Sequence, residues 1–186
     1  MSELDDADVS ALTRQVRTYP PLDLVEVAQL LAAAASPGPA QERLVEHHLR
    51  VALDEALARR DQGVDVTDLY QEATLATLVA VREYSSRRGD PTGLRAYVAR
   101  VVGVHLDDAI EEARIERQAD EAFVRDAQLY ETAEINLRHE LGRGATPTEL
   151  AAVLEWPEER VVIVADAVNA AREAWDTDIV QYLDDE

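Results

Sequence analysis

The side chains best placed to do chemistry together lie in the first turns of one predicted helix, within DVTDLYQEATLATLVAVREY. Asp68, Gln71, Glu72 and Leu75 have the i, i+3, i+4, i+7 spacing that puts side chains on one helix face. Two carboxylates and an amide offer hydrogen-bond acceptors to arginines of a partner helix. Acids in a first helical turn also complement the helix dipole, which is enough to explain Asp68 taken alone. For the group as a whole, both interpretations stay open.

Signals for catalysis or metal binding are poor. The sequence has no cysteine, no Gly-rich phosphate loop and no nucleophile elbow. Its four histidines lack HExxH or similar ligand spacing. His47 and His48 are adjacent in a predicted helix, so their side chains should point about 100° apart and not share a site. We therefore expect no enzyme activity, no cofactor and no metal.

The net charge of the protein limits the kinds of molecule that it can be expected to bind. The 186 residues include 38 acidic and 18 basic side chains, all of the latter arginine, for a net charge of -20. Binding to phosphates and anionic lipids depends on clustered Lys and Arg, so we expect weak or absent DNA binding and no membrane binding. No apolar run approaches the roughly 20 residues of a membrane span, and the acidic start does not resemble a signal peptide. These features favour a cytoplasmic protein.

Helical periodicity dominates the sequence, with prolines and glycines at the breaks, and predicts an all-α fold. We expect helices over 9–16, 22–35, 41–60, 94–117 and 123–141, besides the helix described above, for which Thr67 is the expected N-cap. Thr146 and Glu149 form a capping box, and a second helix start follows at Pro157. This short helix pair is helix-turn-helix-like, a shape that is also common as a plain packing unit. The residues expected in the core are Leu44, Leu49, Leu53, Leu69, Ala76, Ala80 and Val98.

The stretch from Gln41 to Tyr84 resembles the core-binding part of bacterial RNA polymerase sigma factors. The similarity lies in an R-L-x-x-x-x-L-R pattern, a Gly-containing turn and a D-L-x-Q-E helix start that runs to an aromatic residue. The matching residues are Arg43, Leu44, Leu49, Arg50, Gly63, Asp68, Leu69, Gln71, Glu72 and Tyr84. The segments LRAYVARVV and ELGRGATPTELA are similar to the family segments that follow, and TYPPLDLVEVAQLL to one that precedes. The resemblance covers about Arg17 to Trp175.

The resemblance implies a partner. In sigma factors the Asp, Gln and Glu of this helix face the clamp helices of the polymerase largest subunit. Carried over, the partner-binding residues are Asp68, Gln71 and Glu72, with Leu75 on the same face. The implied partner is RNA polymerase core or an anti-sigma-type regulator.

The sequence departs from the family where promoter DNA is contacted. The family's promoter-melting helix grips single-stranded DNA through aromatic and basic side chains. The possible nucleic-acid contacts here are Arg87, Arg88, Arg95, Tyr97 and Arg100. From Gly103 to Glu134, ten acids against three arginines give a net charge of -7, which would repel phosphate. The family's C-terminal promoter-reading domain has no counterpart in the sequence, which therefore resembles a degenerate member.

We expect a multi-helix sigma-factor-like bundle followed by a small helix-turn-helix-like domain. The expected parts are an acidic N-terminal segment (1–16), a core-binding domain (17–118), a second helical domain (119–175) and an acidic tail (176–186). The favoured function is a sigma-factor-like transcription regulator. An acidic helical interaction module or nucleic-acid mimic is the alternative, and a functional promoter-reading sigma factor is a further one.

Overall fold

A computed structural model of the protein describes residues 3–34 and 36–184, with side chains described at residue 7 and over 9–34 and 36–175. Every regular element in these ranges is helical, which confirms the predicted all-α class. The helices are α1 (Glu3–Val16), α2 (Leu24–Ala33), α3 (Pro39–Glu46), α4 (Leu49–Leu57), α5 (Val66–Ser86), α6 (Leu94–Leu141), α7 (Pro147–Leu154) and α8 (Glu158–Asp184). A 3-10 helix, Pro91–Gly93, precedes α6.

The chain forms two compact units, Met1–Ile115 and Glu116–Glu186, and the division falls within α6. The predicted domain boundary lies between 118 and 119. In the first unit α1 packs on α4 and α5, and Val16 belongs to the core. The side chains of the predicted acidic tail, 176–186, lie outside the described ones.

Each unit has its own hydrophobic core. In the first unit, all seven residues predicted to be internal are buried, which confirms that part of the prediction: Leu44, Leu49, Leu53, Leu69, Ala76, Ala80 and Val98. In the second unit, α7 and α8 pack around Leu150, Val161 and Val164, with Tyr130 and Ala133 of α6 beside them. Trp156 lies at the edge of this core, with the Arg160 guanidinium 4.5 Å from its ring centroid.

The predicted single helix over 41–60 is wrong, because the chain breaks at His47 and His48 into α3 and α4. The His48 backbone N–H donates to Val45, and its Nδ1 donates instead to the Leu44 carbonyl at 2.7 Å. In a continuous α-helix the Leu44 carbonyl would accept from the His48 backbone N–H. Here it accepts from the His48 imidazole instead. His47 Nδ1 donates to the Pro20 carbonyl. Contrary to expectation, both rings line one cavity.

The predicted separation of 94–117 from 123–141 is also wrong, because α6 is continuous. Residues 118–122 contain no proline or glycine, and their alanines, Gln118 and Glu121 all favour helix. Gly103 lies inside the helix, where Arg59 Nη2 donates to its carbonyl at 3.2 Å. A Cβ at this position would lie 3.2 Å from the same nitrogen, so a glycine suits the close approach of Arg59.

Helix caps were predicted with mixed success. Thr146 and Glu149 form the predicted capping box at the start of α7, and Gly142, with φ 68°, ends α6 as expected. Thr67 is not the cap of α5. Asp65 is the N-cap, and its carboxylate accepts from the Thr67 N–H at 2.7 Å.

Candidate partner-binding surface

Helix α5 is fixed in place by its inner side. Leu69, Ala73, Ala76 and Ala80 are buried in the core of the first unit. The hydroxyl of Thr77, also on this side, donates to the Ala73 carbonyl at 2.8 Å, so its burial leaves no polar group unsatisfied. Packing on one side of the helix leaves the opposite side free to meet a partner.

The residues predicted to bind a partner lie on that opposite side. Asp68, Gln71 and Leu75 are exposed and Glu72 is half-buried. Asp68 and Gln71 make no side-chain hydrogen bond or ion pair within the described residues, so both stay available. Glu72 is different, because His105 Nε2 donates to its carboxylate at 2.9 Å. The predicted group is therefore brought together, but one member is engaged inside the fold.

The same surface continues along α5 from the predicted Leu75 to Leu78, Val79 and Arg82, which were not predicted from the sequence. Leu75, Leu78 and Val79 are 57%, 44% and 51% exposed, and Arg82 follows one turn later. We name Asp68, Gln71, Leu75, Leu78, Val79 and Arg82 the α5 outer face. Their i, i+3, i+4, i+7 spacing from Gln71 and Leu75 indicates the shared face, but Leu75 was the last residue predicted to lie on it. The α5 outer face has an acid and an amide at one end, apolar side chains in the centre and an arginine at the other end.

The possible nucleic-acid contacts fall into separate places. Tyr97 donates its hydroxyl to Glu83 at 2.7 Å, and its ring centroid lies 5.0 Å from that of Tyr84. The guanidinium groups of Arg87 and Arg100 lie 5.9 and 5.3 Å from the centroid of the Tyr97 ring. The bond to Glu83 raises the pKa of Tyr97. Tyr97 is thus surrounded by contacts within the fold, which competes with stacking on a nucleic-acid base.

Two of the predicted contacts do not join this cluster. Arg88 is exposed, with a left-handed φ of 52° in the loop after α5. Arg95 lines the cavity shared by His47 and His48. The five predicted residues therefore do not form one continuous stacking surface.

Glycines hold the loop between α5 and α6 against Tyr84. A Cβ at Gly89 would overlap the Tyr84 ring, and one at Gly93 would overlap its hydroxyl. That hydroxyl donates to the Asp90 carbonyl at 2.7 Å. The loop between α5 and α6 therefore depends on glycine for packing.

Several acids in the run from Gly103 to Glu134 are neutralised by arginines from outside it. Arg59 donates to Asp107 at 2.7 Å and thereby lowers the pKa of that carboxyl. In the second unit, Arg160 pairs with Asp126, and Arg172 donates to Glu131 and Glu134, both at 3.1 Å. The charge of -7 counted along the sequence therefore overstates the negative charge of this surface. Sequence spacing gave no indication of these pairs.

A wide groove of about 600 Å³ lies in the second unit between α6 and α8. It is lined mainly by apolar residues, among them Phe123, Ala127, Val168 and Trp175. Its charged border is the internal ion pair between Arg172 and Glu131. The groove offers apolar contact but no evident group for orienting a polar ligand.

Other kinds of site are not evident in the part of the chain that the structure describes. It contains no group of three or more His, Asp or Glu side chains that could hold a metal ion. It also contains no helix with the length and apolar character needed to cross a membrane. No protein-family model matches the chain.

Proposed function

We propose that the protein is a sigma-factor-like transcription regulator that acts in the cytoplasm. It binds RNA polymerase core, at the clamp helices of the largest subunit, or an anti-sigma-type regulator. Binding uses the α5 outer face, and binding to promoter DNA is weak or absent. The observation that carries the proposal is the row of exposed apolar residues directly beside Asp68 and Gln71 on an otherwise packed helix.

The α5 outer face has the composition of a protein-binding surface. Interfaces commonly have an apolar centre and a polar rim. Leu75, Leu78 and Val79 would form the centre, and Asp68 and Gln71 would accept hydrogen bonds from arginines on the partner. Arg82 at the far end favours a partner acid there. A partner helix with arginines near one end and an apolar stripe fits this arrangement, as the sigma-family resemblance implies.

Weak DNA binding follows from two observations. Tyr97, the aromatic residue best placed to stack on a base, is engaged with Glu83, Tyr84, Arg87 and Arg100. The overall charge of -20 opposes approach to phosphate. Both support a regulator that keeps protein contacts and lacks strong promoter contacts.

The acidic run of α6 favours a second candidate, an acidic interaction module or nucleic-acid mimic without a polymerase role. Asp108 and Glu112 are exposed in this run and make no side-chain hydrogen bond or ion pair within the described residues. The arginine pairs of Asp107, Asp126 and Glu131 argue against it, since they remove part of the negative surface. A functional sigma factor is the third candidate. It would have to bind promoter DNA and open it together with the polymerase.

A binding isotherm against purified RNA polymerase core tests the proposal. Leu75→Asp puts a charge at the centre of the α5 outer face and should weaken binding by about tenfold or more. The matched control is Val153→Asp in α7, because Val153 is also 57% exposed and apolar. Equal affinities for both variants and the unchanged protein, or no binding at all, would contradict a polymerase role for this face. Promoter opening by the protein–polymerase complex would instead support the third candidate.

A further inference from the structure

A cavity of about 250 Å³ in the first unit has a lining unlike the rest of this acidic protein. It lies where the start of α2, the α3–α4 break and the 3-10 helix meet. The lining contains His47, His48, Arg50 and Arg95 but no Asp or Glu. The chain as a whole has 38 acids against 18 arginines, so a lining with basic groups alone is unexpected.

His48 lines this cavity and has one ring nitrogen without a hydrogen-bond partner among the described residues. The residue is only 8% exposed. Because a carbonyl can only accept, the bond to Leu44 fixes the proton on Nδ1. Nε2 makes no hydrogen bond within the described residues, and it is not sealed from solvent, since no described buried side-chain nitrogen lacks a partner. With its proton on Nδ1, the ring is an acceptor at Nε2 and adds no negative charge to the cavity lining.

Arg95 supplies the positive charge. It has no carboxylate partner within the described residues. Burial is the main cause of the lowered pKa of the His48 imidazole, and the charge of Arg95 lowers that pKa further. Arg50 also lines the cavity and uses one edge of its guanidinium on Asp54, at 2.8 Å. An anion in the cavity would therefore meet an arginine that has no other partner.

The remaining lining is apolar except for Thr92. It includes Leu22, Val27 and Leu94, which a hydrocarbon chain could contact. Arginine is well matched to carboxylates, which it can hold through two parallel hydrogen bonds. A small ligand with a carboxylate at one end and a short hydrocarbon chain at the other matches both parts of the cavity.

We propose that this cavity is a binding site for a small carboxylate with a short apolar chain, held by Arg95. The site is distinct from the α5 outer face, and the proposal does not depend on binding to polymerase. The helix break at His47 and His48 acquires a role here, since it turns both rings toward one space.

The test is an NMR titration of the whole protein, with the histidine rings and backbone amides as reporters and butyrate as the probe. Butyrate should give saturable shifts at residues that line the cavity. Butyramide, which has the same shape without the charge, should give much smaller ones. Arg95→Gln should weaken butyrate binding by about tenfold or more. Arg95 is exposed, so this variant is expected to fold.

Arg100→Gln is the matched control, because it removes the same charge from an exposed position on the same helix, beside Tyr97. It should leave butyrate affinity nearly unchanged. The proposal is overturned if butyrate gives no saturable shift, if butyramide binds equally well, or if both arginine variants weaken binding to the same degree. Binding of inorganic phosphate with no binding of butyrate would overturn the assignment to carboxylates.

Discussion

Glu72 on α5 and His105 on α6 are joined side chain to side chain, with the imidazole Nε2 at 2.9 Å from the carboxylate, although 33 residues separate them. Tyr97 and Glu83 join the same two helices through a second hydrogen bond. Residues later in α5 therefore pair with residues earlier in α6, so the two helices run antiparallel. The group predicted to bind a partner thus contains one residue that also joins α5 to α6.

The two roles can be separated by mutation. Asp68→Ala with Gln71→Ala should weaken partner binding by about tenfold or more, because interfacial charged hydrogen bonds are lost. The double substitution should change the free energy of unfolding by no more than about 0.5 kcal/mol, because both side chains are exposed. Binding isotherms and urea unfolding followed by circular dichroism measure the two effects. The control is Asp108→Ala with Glu112→Ala, exposed acids of α6, and an equal loss of binding there would show a general charge effect.

Glu72→Ala should affect stability as well as binding. The pair with His105 is about half exposed on both sides, so its loss should cost about 0.2–1 kcal/mol. His105→Ala should cost a similar amount and leave partner binding nearly unchanged. If His105→Ala weakens binding as much as Glu72→Ala does, Glu72 supports binding by holding α5 in position through its bond to His105, and not by contacting the partner.

Core and surface leucines should differ sharply in stability. Leu53 is 1% exposed, and Leu53→Ala should cost about 2–5 kcal/mol because it removes buried contacts and leaves a cavity. Leu75→Ala, on the α5 outer face, should change stability by no more than about 0.5 kcal/mol. Urea unfolding checks both. A large loss for Leu75→Ala would mean that this face is covered in the free protein.

Gly89→Ala should destabilise the loop before α6. The added Cβ would overlap the Tyr84 ring, and accommodating it should cost about 1–3 kcal/mol. Gly144→Ala is the matched control, because no atom lies within 4 Å of the position its Cβ would occupy. Thermal unfolding compares the two variants, and equal melting temperatures would show that Tyr84 moves aside freely.

Acid should open the start of α7. The Arg143 guanidinium, and then Thr146, hold the pKa of Glu149 at about 2, below its ordinary value of 4.5. Because the folded pKa is the lower one, the contribution of this carboxylate is complete above pH 4.5 and is lost as pH falls toward 2. The Thr146 amide donates to Glu149 at 2.8 Å, so its protection factor, the exchange rate of an unprotected amide at the same pH relative to its own, should fall over this range. In Glu149→Ala, which removes the acceptor, the protection factor should already be low at neutral pH and change less on acidification.

The parts of the structure that could be predicted from the sequence are those with local causes. The capping box of Thr146 and Glu149 needs only a four-residue pattern, and the burial of Leu69, Ala76 and Ala80 follows from helical spacing. The location of Asp68 and Gln71 on an outward face came from the same spacing.

The parts that could not be predicted depend on residues far apart in the sequence. The break at His47 and His48 involves the Pro20 carbonyl, and the engagement of Glu72 involves His105. Leu78 and Val79 are apolar, and the packing of α5 shows that they face outward beside Leu75, which the spacing had placed on that face. The cavity beside Arg95 likewise arises from three segments that approach one another only in the folded chain.

The placement of the tryptophans has a consequence for optical measurements. Trp156 and Trp175 are the two tryptophans of the chain, and both belong to the unit from Glu116 onward. Intrinsic tryptophan emission will therefore report the unfolding of that unit, while the unit that carries α5 melts without a tryptophan of its own. A difference between emission and ellipticity curves would reveal two separate transitions. A tryptophan introduced at Tyr70, in the core of the first unit, would give that unit an optical signal.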